Sequence, residues 1–296
     1  MTQYARTDDG VHIGYRVRGR GDHDLLIPSY GTCSVSSFDD EPHCARFLAR
    51  LESFARLITF DMRGIGLSDP VDPPFAPEQQ AADARAVLDA AGSERATYLA
   101  WFLWGPSALT LAVEHPERLH ALVAVNTGAR FSRAPDYPAG VPPEFLSRFR
   151  DEVVAIGLGT RADVHQVVTW HAPSVADDER FVRWWVEAGQ KGASPATAGA
   201  VLDMFRDVDV RSLLPSITVP TVVIQRRDTA WIRPAVGYYL AEHIPGARLV
   251  DIPGADMTPF TENSDAVIGE IEEVVTGRRT APDPDRVLAT VLFTDI

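Results

Sequence analysis

The chain has 296 residues, and 45% of them are hydrophobic, which is enough for one large domain with a full core. Its formal net charge of −13 repels nucleic acid and anionic lipid, so neither is expected as a partner. There is no apolar run of about 18 residues, and the first residues lack the charged-then-apolar order of a signal peptide. We therefore expect a soluble, cytoplasmic protein without a membrane partner.

The two cysteines, Cys33 and Cys44, have no metal-binding or redox spacing. A disulfide between them stays open as an alternative. Two reduced thiols fit a cytosolic protein better.

Short apolar runs alternate with helical patterns along most of the chain. Alternating residues around Asp8-Asp9-Gly10 predict a β-hairpin. Six further runs predict buried strands, at 24–28, 56–60, 96–101, 120–125, 220–226 and 247–252. Helical patterns lie at 41–52, 78–91, 106–115, 234–243 and 264–276. This alternation predicts an α/β fold with a mainly parallel central sheet, right-handed crossovers and helices on both faces.

Two stretches carry a resemblance to a known family. Residues 61–69 read Asp-Met-Arg-Gly-Ile-Gly-Leu-Ser-Asp, and the strand at 96–101 runs through a very tight turn into a helix that ends at His115-Pro116. Both resemble the α/β-hydrolase family, in which the strand, turn and helix form the nucleophile elbow. The glycines and the Asp/Arg pair of the first stretch indicate a structural, turn-building role.

The resemblance stops at the nucleophile itself. The family turn reads G-x-S-x-G, but residues 100–104 read Ala-Trp-Phe-Leu-Trp, and Phe102 stands where the serine would be. A phenyl ring cannot attack a carbonyl. Ser107 in a shifted register is an alternative nucleophile, although it leaves barely two turns of helix. Trp101, Phe102 and Trp104 either fill the core or line a pocket where a catalytic site used to be.

Strand patterns cease between about 128 and 216. Helices are predicted at 142–156, 161–170, 177–190 and 195–205, which resembles the helical cap of α/β-hydrolases. Large side chains in these helices either pack the cap together or face a ligand cavity. They are Trp170, Phe181, Trp184, Trp185, Met204 and Phe205.

The other two triad positions also depart from the family. Residues 225–234 resemble the family stretch H-R-T-G-D-R-W-I-R-P, which aligns Thr229 with the acid and leaves Asp228 one residue early. Whether Asp228 faces the site stays open. Residues 253–260 resemble P-G-A-D-H-x-P-F, with Met257 in place of the histidine. The resemblance therefore implies a degenerate triad at Phe102, Thr229 or Asp228, and Met257, and no catalytic residue.

The last residues carry a second resemblance. Residues 277–285 are rich in proline and charge, and 286–296 read RVLATVLFTDI, which resembles the opening strand of a class III adenylate or guanylate cyclase. In that family the aspartate, here Asp295, helps to hold Mg²⁺ or Mn²⁺ in a complete cyclase domain. The alternative is an ordinary terminal strand. The predicted units are an α/β-hydrolase-like domain at 1–276, a linker at 277–287 and a truncated cyclase strand at 288–296.

Three functions follow as hypotheses. The first is an inactive sensor or regulatory domain of a cyclase that binds a small apolar ligand, without a cofactor of its own. Its predicted ligand-binding residues are Tyr30, Trp101, Phe102, Trp104, Met257 and Trp184. The second is an active serine hydrolase or esterase with a non-standard site that uses Ser107 or another group. The third is a structural module that makes the full-length cyclase a homodimer.

Overall fold

A computed structural model describes residues 1–72, 76–160, 163–230 and 232–279. They contain one eight-stranded sheet in the order β1-β2-β4-β3-β5-β6-β7-β8. β1 and β2 form the predicted hairpin, β2 is antiparallel to β4, and every other neighbouring pair is parallel. The strands are β1 Gln3–Arg6, β2 His12–Arg18, β3 Asp24–Pro28, β4 Arg56–Phe60, β5 Ala96–Trp101, β6 Leu119–Val125, β7 Thr221–Arg226 and β8 Arg248–Ile252. The mainly parallel sheet is confirmed.

Nine α-helices lie in the described part of the chain. They are α1 Pro42–Glu52, α2 Pro77–Ala90, α3 Gly105–Glu114, α4 Pro143–Gly157, α5 Val164–His171, α6 Glu179–Gly192, α7 Pro195–Asp207, α8 Pro234–His243 and α9 Ser264–Thr276. Most begin at or next to a proline, which fits a first helical turn because that position needs no N–H partner. Beside the sheet, α1 packs on α9 and α2 packs on α3. The helices α4 to α7 occupy the segment predicted as the cap.

One end of the cap is fastened to the sheet side by a backbone contact. The Gly66 N–H donates to the carbonyl of Gly192, the last residue of α6, over 2.6 Å. A Cβ atom at Gly192 would lie only 1.9 Å from the carbonyl oxygen of Thr32. Glycine is therefore required at 192, because this backbone touches the loop after β3 directly.

The Asp-Met-Arg-Gly run has a structural role, as its pattern indicates. The buried Asp61 carboxylate accepts from the Ser34 hydroxyl at 2.8 Å and from the N–H groups of Val35 at 2.7 Å and Leu67 at 3.0 Å. Arg63 donates twice to buried Asp83, at 2.7 and 2.6 Å. The Asp61 bonds hold the loops after β3 and β4 together, and the charge-assisted Arg63–Asp83 bonds hold the loop after β4 to α2.

Some sequence predictions fall outside the described residues. These are most of the predicted linker and the whole predicted cyclase strand, including the metal-binding role of Asp295. Cys33 and Cys44 are both buried and free. Within the described residues no helix has the length and apolar character to cross a bilayer.

Candidate functional site

The turn after β5 has the backbone of a nucleophile elbow. Phe102 has a φ of +50°, a left-handed conformation that costs a bulky residue about 1–3 kcal/mol. The Thr127 hydroxyl donates to the Phe102 carbonyl at 2.5 Å. A Cβ atom at Gly105 would lie 2.3 Å from Thr127 Oγ1, so glycine allows α3 to start close to the chain after β6. The surroundings therefore hold the strained turn although its tip is a phenylalanine.

The Phe102 side chain lies within a cluster of rings from the sheet and the cap. It stacks on Tyr30 with centroids 5.4 Å apart, and it meets the imidazole of His171 edge-on at 4.5 Å. Phe205 of α7 lies 5.8 Å away. Only 3% of Phe102 is exposed. The elbow tip is thus enclosed by aromatic side chains, two of them from the cap.

A cavity of about 60 Å³ lies between this elbow and the cap. Its wall is formed by the loop after β3, the elbow and the helices α4 to α7. The residues that line it are Tyr30, Gly31, Thr32, Cys33, Phe102, Leu103, Phe149, Val153, Ile156, Gly157, His171, Trp185, Val186, Gly189, Gln190, Ala193, Pro195, Ala198 and Leu202. The wall is mostly apolar with a few polar groups, which is typical of a site for a small organic molecule.

The titratable groups in the cavity wall are uncharged near neutral pH. Burial lowers the pKa of His171 to about 3, so its imidazole is neutral. Burial raises the pKa of Cys33 to about 12 and the pKa of Tyr30 well above its usual value, so both keep their protons. Neutral histidine can accept a proton, whereas a protonated thiol is a poor nucleophile.

Met257 lies at the family's histidine position but not in the cavity wall. It is fully buried, its N–H donates to the His171 carbonyl at 2.6 Å, and its carbonyl accepts from the Asn126 amide at 3.0 Å. A thioether cannot relay a proton. This position therefore contributes to the site through its backbone, which holds the end of α5.

The acid position supplies no carboxylate to the cavity. Asp228 is exposed, and its side chain accepts from the Gly254 N–H at 3.2 Å. Thr229 is buried and donates to the Ile232 carbonyl at 2.7 Å. Neither residue is in the cavity wall. The question left open by the sequence is answered: Asp228 faces solvent.

Ser107 lies away from the cavity as well. It is fully buried in the first turn of α3, where its hydroxyl donates to the Trp104 carbonyl at 2.9 Å. A nucleophile must be able to reach a bound substrate. The esterase hypothesis allowed either Ser107 or a different reactive group, and the buried position of Ser107 favours a different group.

The predicted ligand-binding residues divide into two sets. Tyr30 and Phe102 line the cavity together. Trp101 and Trp184 are buried outside the cavity wall. Their indole N–H groups donate to the carbonyls of Ser29 at 3.1 Å and Ser37 at 2.8 Å. Trp104 and Met257 are buried outside the wall too. Ligand binding by any of them, like the homodimer, stays a prediction.

Sequence reasoning missed two residues of the site. His171 ends α5 and lies in the cavity wall, and Asp256 is a fully buried carboxylate next to Met257. His171 could have been found in the sequence as a histidine within the apolar pattern of a cap helix. Asp256 was visible only as part of a motif. Among the described residues no group of three or more acidic, cysteine or histidine side chains could hold a metal ion.

Comparison with known proteins places this chain in a family. The family model of the α/β hydrolase fold matches residues 25–263. A pimeloyl-[acyl-carrier protein] methyl ester esterase from Neisseria meningitidis serogroup C is 28% identical over 222 residues, which are 74% of this chain and 84% of that protein. The protein of the same name from Yersinia enterocolitica is 25% identical over 252 residues, or 85% and 93% of the two chains.

Solved structures agree on the fold. The enol-lactonase from Burkholderia xenovorans LB400 has a TM-score of 0.77 at 22% identity, covering 93% of this chain and 100% of that chain. The esterase RhEst1 from Rhodococcus sp. ECU1013 has a TM-score of 0.76 at 20% identity, covering 93% and 98%. At these identities the likeness shows the fold alone.

These relatives correct the functional prediction. The hypothesis of a catalytically inactive cyclase regulatory domain is wrong, because the relatives are named esterases and hydrolases and none of those described here is a cyclase. That hypothesis inferred a loss of activity from two replaced side chains, Phe102 and Met257. It also assigned a function to the whole chain from the resemblance of its last eleven residues. The esterase alternative is favoured instead. With a family model that matches most of its length, the chain belongs to the α/β-hydrolase family.

Proposed function

We propose that the protein hydrolyses a small apolar ester in the cavity beneath the cap, at a non-standard site in which His171 activates water. The observation that carries the proposal is the neutral His171 imidazole in the cavity wall, 4.5 Å from the ring at the elbow tip. The esterase names of the relatives support the reaction class.

The proposed reaction needs no covalent enzyme intermediate. Water attacks the ester carbonyl while the imidazole takes its proton, and a tetrahedral intermediate forms. The bond from carbon to the alcohol oxygen then breaks, and the imidazolium returns the proton to that oxygen. Acid and alcohol leave, and His171 is neutral again.

Two backbone groups suit the developing oxyanion. In enzymes with a nucleophile elbow, the oxyanion hole uses the N–H after the nucleophile and an N–H from the loop after β3. The residue after Phe102 is Leu103, and the loop after β3 offers Tyr30 and Gly31; all three line the cavity. Their N–H groups would stabilise negative charge without any side chain at position 102.

The low basicity of His171 limits the rate. A general base works best when its pKa is near the working pH, and a pKa of about 3 makes His171 a weak base. We therefore expect slower turnover than in a Ser-His-Asp hydrolase. The apolar wall and the volume of about 60 Å³ favour short acyl groups.

The experiment is an assay of p-nitrophenyl acetate, butyrate and octanoate at pH 7–8. The wild type should hydrolyse these esters faster than buffer alone, with the largest rate increase for the shorter esters. His171→Gln, which keeps a polar side chain but cannot carry the proton, should lose at least about tenfold in kcat. Ser107→Ala should keep the wild-type rate within about twofold, because its hydroxyl lies outside the cavity.

A thiol control separates the alternatives within the cavity. Cys33→Ala should leave turnover unchanged, since burial keeps the thiol protonated. If no ester is turned over above buffer, the hydrolase proposal fails. If turnover survives His171→Gln but disappears in Cys33→Ala or Ser107→Ala, the reaction belongs to that residue instead.

A further inference from the structure

Asp256 is a buried carboxylate that the proposed reaction does not use. It has no exposed surface, yet it accepts from the Ser174 N–H at 2.9 Å and from the Ser174 hydroxyl at 2.5 Å. The Thr261 hydroxyl at 2.5 Å and the Glu262 N–H at 3.2 Å complete its partners. Two of these four bonds therefore lead to the cap, and two lead to its own loop.

Ser174 belongs to the cap segment that follows His171. α5 ends at His171, and a short 3-10 turn, Pro173–Val175, comes directly after it. The Met257 N–H donates to the His171 carbonyl at 2.6 Å. The adjacent residues 256 and 257 thus make three hydrogen bonds to the cap between His171 and Ser174, two of them to a carboxylate.

The loop that makes these bonds is itself anchored to the sheet. The side-chain amide of Asn126, just after β6, donates to the carbonyls of Asp256 at 3.3 Å and Met257 at 3.0 Å, and its oxygen accepts from the Arg226 N–H at 2.9 Å. The buried guanidinium of Arg226, at the end of β7, donates to the carbonyls of Asp256 at 2.8 Å and Thr258 at 2.6 Å. A continuous path therefore runs from the ends of β6 and β7 to the cap.

We propose that Asp256 is a positioning residue that fixes the cap segment 171–174, and with it His171, over the cavity. The catalytic consequence rests on the role proposed for His171, but the positioning itself does not. Catalytic side chains keep their geometry only when a second layer of hydrogen bonds holds them in place. A displacement of about 1 Å can lower the rate about 100-fold. Asp256 is the member of that layer whose side chain bonds the cap directly.

The test compares two buried aspartates. Asp256→Asn keeps the shape but removes the charge, and Asp83→Asn does the same to a carboxylate that binds Arg63 and touches no cap residue through a hydrogen bond. Hydrogen–deuterium exchange is followed in residues 164–175 and, as reference, in α8, which contains neither aspartate. Asp256→Asn should raise exchange in 164–175 by about tenfold or more, and Asp83→Asn should leave that segment as in the wild type.

Turnover of a short p-nitrophenyl ester is measured on the same samples. A fall in kcat of about tenfold in Asp256→Asn, together with faster exchange, supports both the positioning and the role of His171. Faster exchange with unchanged kcat supports the positioning and overturns the role of His171. Wild-type exchange in 164–175 overturns the positioning, whatever the turnover.

A milder variant keeps the test decisive if Asp256→Asn does not fold. Ser174 is exposed, so Ser174→Ala removes one hydroxyl bond to Asp256 without a buried vacancy. It should raise exchange in 164–175 by a smaller factor, about threefold. No rise at all in this folded variant would overturn the proposal.

Discussion

The imidazole of His171 meets the phenyl ring of Phe102 edge-on, with centroids 4.5 Å apart and ring planes at 88°. His171 comes from the cap and Phe102 from the turn after β5, so this contact is one of those that join the cap to the sheet side, and it lies in the cavity wall. Such aromatic pairs contribute about 0.5–1.5 kcal/mol beyond the area they bury. Changes at either residue should therefore affect the cap as well as the cavity.

Phe102 allows a test of backbone strain. Phe102→Ala should destabilise the protein by about 3–5 kcal/mol, because it removes a buried ring. Glycine accepts a φ of +50° without strain, so Phe102→Gly should be at least as stable as Phe102→Ala. Urea unfolding of both variants measures the difference. A glycine variant that is about 1 kcal/mol less stable, as at an ordinary position, would show that the turn is unstrained.

His171 should make stability depend on pH in a defined direction. Its pKa is about 3 in the folded protein and near 6.5 when unfolded, so between these values the unfolded chain binds the extra proton. The free energy of unfolding should therefore fall as the pH drops from 6.5, by about 1.4 kcal/mol per pH unit at most, and the loss should be complete near pH 3.

His171→Phe provides the control for this pH effect, since it keeps a ring and removes the titration. The stability difference between wild type and variant should shift by about 2 kcal/mol in favour of the variant from pH 7 to pH 5. Denaturant unfolding at the two pH values measures this shift. A constant difference would mean that His171 is already solvated in the folded protein.

Gly192 and Gly189 form a matched pair on α6. The Cβ of Gly192→Ala would collide with the Thr32 carbonyl at 1.9 Å, so this variant should lose about 1–3 kcal/mol of stability as the cap moves from the loop. A Cβ at Gly189 meets only Thr32 Oγ1 at 3.8 Å, and alanine favours a helix. Gly189→Ala should be neutral or stabilising in thermal unfolding. Equal behaviour of the two variants would contradict the close contact.

Thr127 tests how the elbow is held. Thr127→Val keeps the side-chain shape but removes the hydrogen bond to the Phe102 carbonyl, which should cost about 1 kcal/mol or more. Thr127→Ser keeps the hydroxyl and should retain the part of the stability that depends on it. Chemical unfolding distinguishes the two. A valine variant as stable as the serine variant would argue against a role for this hydroxyl.

The fold could be predicted closely because each element carries its own local signal. The strand 24–28 and the helices 234–243 and 264–276 have the predicted limits, and β6 begins one residue earlier than expected. Apolar runs bounded by turns and prolines fix such limits without any tertiary information.

The site was less predictable because its geometry depends on contacts between distant segments. Motif alignment located positions 102 and 257, but only the structure shows that Met257 turns away from the cavity while His171 enters its wall. Aromatic character alone suggested that Trp101 and Trp184 line the cavity. Both are instead held within the protein by hydrogen bonds from their indole N–H groups to backbone carbonyls. Activity was the hardest feature to predict, because two altered side chains do not define the rest of a pocket.

The left-handed turn at Phe102 has a consequence for redesign. The conformation is imposed by Thr127 and by the room that Gly105 leaves, and not by the residue at the tip, which tolerates it at a cost. Position 102 can therefore receive a different reactive group while the backbone around it stays as it is. The chain therefore already offers a fixed backbone position for a new reactive side chain, facing a small and mostly apolar cavity.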